Sequence, residues 1–157
     1  MIKEFQGKYR FLSNFWMAPI VLFGSGTDGK PDDIAFSVEH AYQALKADNE
    51  EDYFKVLRAA SPGEAKRLGK TIKIVSTWEE SKLGIMSVLV QSKFEQHEEL
   101  RKMLLETGDE ELVEGNKWHD NYWGKCYCPK CDGWTGENKL GILLMAIRKE
   151  YKDKRDT

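Results

Sequence analysis

The chain has 157 residues, a formal net charge of -2 and a pI near 6.0, with 41% hydrophobic and 32% charged residues. That balance excludes a disordered, fibrous or low-complexity chain and leaves enough apolar material for a real core. The near-neutral charge argues against tight binding of duplex nucleic acid, which needs a clustered basic face, and the longest apolar stretches, "IVLF" and "ILLMAI", fall far short of the roughly 20 residues that span a bilayer.

The start "MIKEFQGKYR" lacks the apolar core of a secretory signal, so a cytoplasmic setting with reduced cysteines is expected. With no repeat and no separating linker, residues 1-157 are expected to form one domain. In "RFLSNF", Arg10 to Phe15, the polar Ser13 and Asn14 sit between aromatics. Such a frame suits a pocket for a planar ring, and an ordinary turn is the competing reading. "APIVLF" and "IAF" read as short strands around a hairpin or surface loop from Gly24 to Asp33.

Ser37 is placed to cap a helix through "SVEHAYQALKA", and a second helix runs through "EEDYFKVLRAA". "SPGEAKRLG" predicts a third, with Ser61 as cap, Pro62 at the first position, Glu64 completing a capping box and Gly69 at the end. Thr77 and Glu80 form another such box before the longest helix, "WEESKLGIMSVLVQSKF", where Leu83, Met86, Val90 and Phe94 keep helical spacing. "HEELRKMLLETG" gives a separate helix ending near Gly108, and "ELVEG" a short strand. From Asn116 to Gly136 periodicity stops, over a length that points to a functional or metal-stapled loop. The last helix starts near Asn138 with Leu140, Leu143, Leu144, Ile147 and Tyr151 on one stripe, and Gly141 marks close packing. The expected fold is α+β, mainly α-helical.

On the first helix Glu39, Gln43 and Lys46 stand at i, i+4 and i+7 with Tyr42 beside them, over about 10 Å of rise. A ligand could lie along that stripe; a solvated helix face is the competing reading, and His40 reads as a core or capping histidine. In "HDNYWG" the acid Asp120 adjoins Tyr122, Trp123 and Gly124, a carboxylate beside a stacking surface, with a core-plugging loop as the rival. "GENKLG" sets Gly136 and Asn138 at a helix N-terminus, which favours an anion or is an ordinary helix start. Trp78 suits either a stacked base or the core. Cys126, Cys128 and Cys131, with His119 or a distant histidine, could hold one zinc ion, the alternative being a metal-free reduced cluster.

In that order, "FLSNF", "SVEHAYQALKA", "TWEES", "SKFEQHEELRKMLLETG", "NYWG" and "GENKLGILLMAIR" resemble the NADAR superfamily of YbiA-like N-glycosidases, over nearly the whole chain. The resemblance implies hydrolysis of an N-glycosidic bond at a ribose anomeric carbon. The substrates implied are riboflavin-pathway pyrimidines carrying ribose phosphate, or ADP-ribose attached to guanine, so that nucleic acid enters only as a carrier of that group. It implies Glu39 as general acid/base or cation stabiliser, Lys46 as a nucleophile forming a transient Schiff base, and Asp120 as a further acid. Trp78, Tyr122 and Trp123 are then expected to frame the base, and Asn14, Gln43 and Asn138 to hold sugar or phosphate oxygens. Ser13, Phe15, Tyr42 and Gly124 complete the expected contacts. No cofactor is required for the cleavage, and a zinc on the cysteines is structural. The C-x-C-x-x-C run lies between "NYWG" and "GENKLG" as an insert on the leaner family pattern. A zinc-stabilised module that binds ADP-ribose or NAD-derived nucleotides without catalysis is the alternative function.

Overall fold

A computed structural model describes all residues, 1–157. The architecture is α+β and mainly helical: six α-helices, a 3-10 helix over Gly7–Leu12 and two small two-stranded sheets. The backbone gathers into two units, one of Asn14–His97 and one of Met1–Ser13 with Glu98–Thr157.

In the first unit β1 (Ile20–Leu22) pairs antiparallel with β2 (Asp33–Ala35), Ile20 opposite Ala35. The connecting loop is held by the Asp32 carboxylate, which accepts from the amides of Gly24 and Gly26, both at 3.0 Å. α1 (Val38–Ala44) begins where the Ser37 hydroxyl accepts the His40 amide at 3.1 Å, as its side-chain chemistry predicts. It packs against α2 (Glu50–Leu57), α3 (Pro62–Gly69) and α4 (Trp78–Gln96), and all seven of its residues are buried.

Ser61 caps α3 by accepting the Glu64 amide at 3.1 Å, with Pro62 in the first turn. The Glu64 carboxylate reaches back to the amide of Ala60 at 3.3 Å, one residue before the cap. Thr77, in contrast, makes no side-chain cap to α4; its φ of -93° and ψ of 7° depart from the extended cap conformation, and the capping box expected there does not form. α4 buries Trp78, Met86, Leu89, Val90 and Phe94, whereas Leu83 is exposed. Its end is stitched to β1 by Gln96, whose amide donates to the Val21 carbonyl and whose carbonyl accepts the Val21 amide.

In the second unit α5 (Glu98–Glu106) ends before Gly108, which takes the left-handed conformation at φ +65°. α6 (Lys139–Arg155) buries Leu140, Leu144 and Ile147. A Cβ on Gly141 would strike the carbonyl of Leu112, so this glycine does mark a close approach. Arg148 is buried and donates to the Thr107 hydroxyl at 2.8 Å and the Glu110 carbonyl at 2.7 Å. "ELVEG" supplies one parallel bridge, Ile2 to Leu112, and the first residue of β3 (Gly115–Asn116), which pairs in parallel with β4 (Lys125–Cys126). No helix is long and apolar enough to cross a membrane.

Candidate active site

The polar residues of α1 are not a solvated face. Glu39 is 7% exposed and Gln43 5%, and the Gln43 amide donates to Glu39 Oε1 at 2.7 Å across one turn. A carboxylate oxygen can only accept, so this contact fixes the amide's orientation. Gln43 Oε1 then points away, is buried, and meets no hydrogen-bond donor of the chain. It lies against Gly69, where a Cβ would collide with it. Gly69 thus gives the Gln43 amide its room, a role hidden behind its reading as a helix end.

Lys46 lies beyond the helix. α1 stops at Ala44, the Lys46 amide donates to the Gln43 carbonyl at 3.3 Å in a tighter turn, and the Lys46 carbonyl accepts the Val75 amide at 2.8 Å. The i+7 helical register therefore does not hold, and a turn carries the side chain. Its Nζ lies 5.4 Å from the centre of the Tyr42 ring and 6.0 Å from that of Trp78, within cation–π range. Those rings are 5.0 Å apart and tilted by 59°. Burial holds the Lys46 ammonium below the ordinary lysine pKa; Glu39 opposes this, Lys82 and Lys66 add to the lowering, and Glu79 opposes it. Lys82 pairs with Glu79 at 2.7 Å and Lys66 sits 5.9 Å from the Phe15 ring centre. The sequence reading missed both lysines, since charges on amphipathic helices carry no sign of a shared neighbourhood.

Around this group Asn14 and His40 do structural work. The Asn14 carbonyl accepts the Glu39 amide at 3.1 Å and its side-chain amide touches Met86 sulfur at 3.4 Å. His40 Nε2 donates to the Ala59 carbonyl at 3.0 Å, so Nδ1 is the acceptor facing the Ser37 hydroxyl at 2.7 Å. It is the core histidine expected. On α4 Lys93 is 1% exposed, and desolvation pushes its ammonium down to about 7, a burial that no local pattern signals.

In the other unit, Ser13 closes the 3-10 helix through its amide, and the Asp120–Gly124 turn is built on its own carboxylate. Asp120 Oδ1 accepts the amides of Tyr122 at 3.1 Å and Trp123 at 2.8 Å. Asn116 holds the same residue twice, accepting its amide at 3.0 Å and donating to its carbonyl at 2.9 Å. The rings of Tyr122 and Trp123 meet edge to face, 4.7 Å apart. Gly124 has no room for a Cβ, which would strike the carbonyl and carboxylate of Glu114.

The start of α6 is bonded within the fold, as an ordinary helix start would be. The amides of Asn138, Lys139 and Leu140 donate to the carbonyls of Gly124, Tyr122 and Trp123 at 3.2, 3.0 and 2.9 Å, so the first donors of the helix are already satisfied. Asn138 is correspondingly a brace: its side chain donates to Leu112 and accepts from Glu114, both at 3.0 Å, from a left-handed backbone at φ 51°. Beyond the turn, the ligand atoms of His119, Cys126, Cys128 and Cys131 all lie within 4.8 Å of one another, a group that could hold a metal ion.

These features meet a known family. Residues 2–152 match the NADAR domain model. N-glycosidase YbiA of Shigella flexneri serotype 5b is 35% identical over 146 residues, 90% of this chain and 81% of that protein. An N-glycosidase of Nostoc punctiforme is 39% identical over 122 residues, 74% of each chain. A riboflavin biosynthesis protein of Vibrio vulnificus is 34% identical over 147 residues, 91% of this chain and 36% of that protein. The NMR structure of the Escherichia coli protein YbiA superposes with a TM-score of 0.76 at 32% identity, covering 99% of this chain and 89% of that one. The chain belongs to the NADAR family and is an N-glycosyl hydrolase.

Proposed function

We propose that the chain cleaves the bond between a pyrimidine and the anomeric carbon of a ribose phosphate, with Glu39 and Lys46 carrying the chemistry. The supporting observation is a buried Glu39, bonded to Gln43, within electrostatic reach of a lysine whose ammonium form burial disfavours. In this reading the Glu39 carboxylate takes a proton from the Lys46 ammonium, and the neutral amine attacks C1′ as the base leaves with the bond's electron pair and the proton now on Glu39. The sugar ring opens to an iminium as O4′ takes a proton from the Lys46 nitrogen. Water then adds at C1′, both its protons pass to the departing Lys46 nitrogen, and the sugar is released as its aldehyde with the ammonium and the Glu39 carboxylate restored. Gln43 keeps the Glu39 carboxyl in place. The tilted pair Tyr42 and Trp78 offers a face for the flat base, and Lys66 and Lys82 suit the substrate phosphate.

Family membership supports adding Ser13, Asn14, Phe15, Asp120, Tyr122, Trp123 and Gly124 to the substrate contacts, and the family match through both units supports one domain over 1–157. No cofactor takes part in the bond cleavage; a metal on the His119 cluster is structural. The N-glycosidase relatives favour an enzyme over a non-catalytic binding module, and a reducing cytoplasm suits three cysteines that form no disulfide. The net charge of -2 favours a small substrate over ADP-ribosylated guanine in a long nucleic acid.

The test is base release, followed by chromatography, from a ribosylaminopyrimidine phosphate and separately from ADP-ribosylated guanosine. Release from the first supports the proposal, and release from the second alone transfers it to ADP-ribose. No release from either sinks it. Glu39→Gln and Lys46→Arg should each lower kcat by about 10²–10⁴. Borohydride should trap a sugar on Lys46; full turnover with no adduct removes the covalent step.

A further inference from the structure

Cys126, Cys128 and Cys131 lie between "NYWG" and "GENKLG", and with His119 they bring four ligand atoms within 4.8 Å of one another. Cys128 Sγ and Cys131 Sγ are 3.6 Å apart, and His119 Nδ1 is 3.6 Å from the first and 3.3 Å from the second. A tetrahedral zinc with bonds of about 2.3 Å to sulfur and about 2.0–2.1 Å to nitrogen sets edges of about 3.8 Å between sulfurs and about 3.6 Å between sulfur and nitrogen. These three edges agree to within a few tenths of an ångström, and the edges to Cys126 fall within 4.8 Å, so a small closing movement of Cys126 completes the sphere. Cys126 supplies the fourth donor: its sulfur accepts the Cys128 amide at 3.3 Å, and all four ligand atoms fall within the 4.8 Å span.

The backbone is arranged around this point. Cys126 exchanges both ladder bonds with Thr135, at 2.8 and 3.1 Å, closing the loop at its base, and the Cys131 amide turns back to the Cys128 carbonyl at 2.9 Å. His119 is held in the left-handed region at φ 68°, a conformation that costs a non-glycine residue energy and needs a compensating contact. Three thiolates and one imidazole are a soft donor set, suited to zinc. With four protein ligands no position is open for substrate or water, which makes the site structural.

We propose that His119, Cys126, Cys128 and Cys131 bind one zinc ion, and that the ion holds the Asp120–Gly124 turn. His119 directly precedes Asp120, so the ion tethers the turn immediately before its capping carboxylate. Asn116 ties the same turn to β3, whose partner β4 carries Cys126. That this order serves catalysis rests on the function proposed above; the metal and its effect on the loop do not.

The full chain, purified without a histidine tag, is analysed by plasma mass spectrometry, and about one zinc per chain is expected. Replacing zinc by cobalt(II) should give the visible bands of a tetrahedral thiolate site. The double variant Cys128→Ser/Cys131→Ser should lose the metal. Should that variant not fold, wild-type protein stripped with a chelator keeps the test open. Stripping should raise amide exchange across residues 117–136 by roughly tenfold or more, with no change in α4. Zinc near zero after refolding with excess metal overturns the proposal, as does a disulfide between any two of the cysteines. Zinc present with exchange unaltered by its removal overturns the tethering. Base release is followed on the same samples: a zinc-loaded chain without activity counts against the glycosidase reading alone.

Discussion

Replacing Gly69 with alanine isolates the contact that shapes the Glu39 carboxyl. The added Cβ would overlap Gln43 Oε1 and lie 2.9 Å from Gln43 Cδ and 3.3 Å from its Cβ. Two relaxations are open. The amide can swing away, losing its bond to a charged oxygen at a cost of about 1.5–3 kcal/mol, or α3 and α1 can separate, with an overpacking cost of about 1–3 kcal/mol. Alanine gains at most about 0.5–1 kcal/mol over glycine within a helix, and less in the last turn where this residue sits. The net expectation is a loss of about 1–2 kcal/mol by urea denaturation, with kcat/KM for base release falling roughly tenfold or more as Glu39 loses its partner. Gln43→Ala removes the obstructing group, so Gly69→Ala added to it should be neutral or slightly stabilising. That is a coupling of about 2 kcal/mol between the two sites. A Gly69→Ala protein as stable as the parent, or a strictly additive double variant, would refute the steric account.

Three further outcomes follow from the buried polar groups. Unfolded Lys93 titrates near 10.4 and the folded residue near 7, so between those values the unfolded chain holds a proton that the folded chain has released, and stability rises with pH by at most about 1.4 kcal/mol per unit. Lys93→Met should flatten that rise in denaturation curves measured from pH 7 to 10. If Lys46 must be neutral to attack, kcat should climb with pH along a limb placed below the ordinary lysine range. Lys82→Met, by removing a neighbouring cation, should move that limb to higher pH in a pH–rate profile. Asn138→Gly keeps the left-handed backbone but loses two hydrogen bonds, costing about 1–3 kcal/mol, and Asn138→Ala should cost about 1 kcal/mol more; equal losses by thermal melts would show that the backbone conformation carries no strain.

What the sequence made legible was chemistry that acts over three or four residues. Ser37 and Ser61 cap their helices because a hydroxyl three residues before an amide needs no distant partner. Gly141 was legible for a related reason, since glycine inside a long helical stripe has few uses other than close approach. The failures share the opposite property. "ALKA" is good helix-forming sequence, yet α1 stops at Ala44 because the next residues meet another segment: Lys46 bonds Val75 and Ala47 bridges Ile74. Thr77 has the residues of a capping box, but the turn closed by the Trp78 amide on the Val75 carbonyl at 3.1 Å goes with a backbone at φ -93° and ψ 7°, outside the extended conformation a capping side chain needs. Asn138 looked like an anion contact because nothing local shows that Leu112 and Glu114 claim its side chain. The burial of Glu39 and Lys93 is decided wholly by what packs on them. The C-x-C-x-x-C spacing and the nearby His119 suggest a cluster, and the fold decides between His119 and a more distant histidine.

Stability alone does not account for the composition of α1. A helix buried on every side is best served by apolar residues, and exchanging a buried charged group and its partners for well-packed hydrophobic ones is often neutral or stabilising. This helix instead buries a carboxylic acid and an amide, leaves one amide oxygen without a donor, and places a lysine just past its end against two aromatic rings. Each choice carries a desolvation cost, and Gly69 adds the weakness of glycine in a helix to make room for one of them. Costs that concentrate on one short helix, and a burial that shifts a lysine toward its neutral form, fit the proton transfer and nucleophilic attack proposed above. The same reasoning separates the two polar constellations: on α1 the Gln43 carbonyl oxygen is buried without a donor, whereas Asp120 and Asn116 bond to each other and to the backbone of one turn, and Asn138 bonds Leu112 and Glu114.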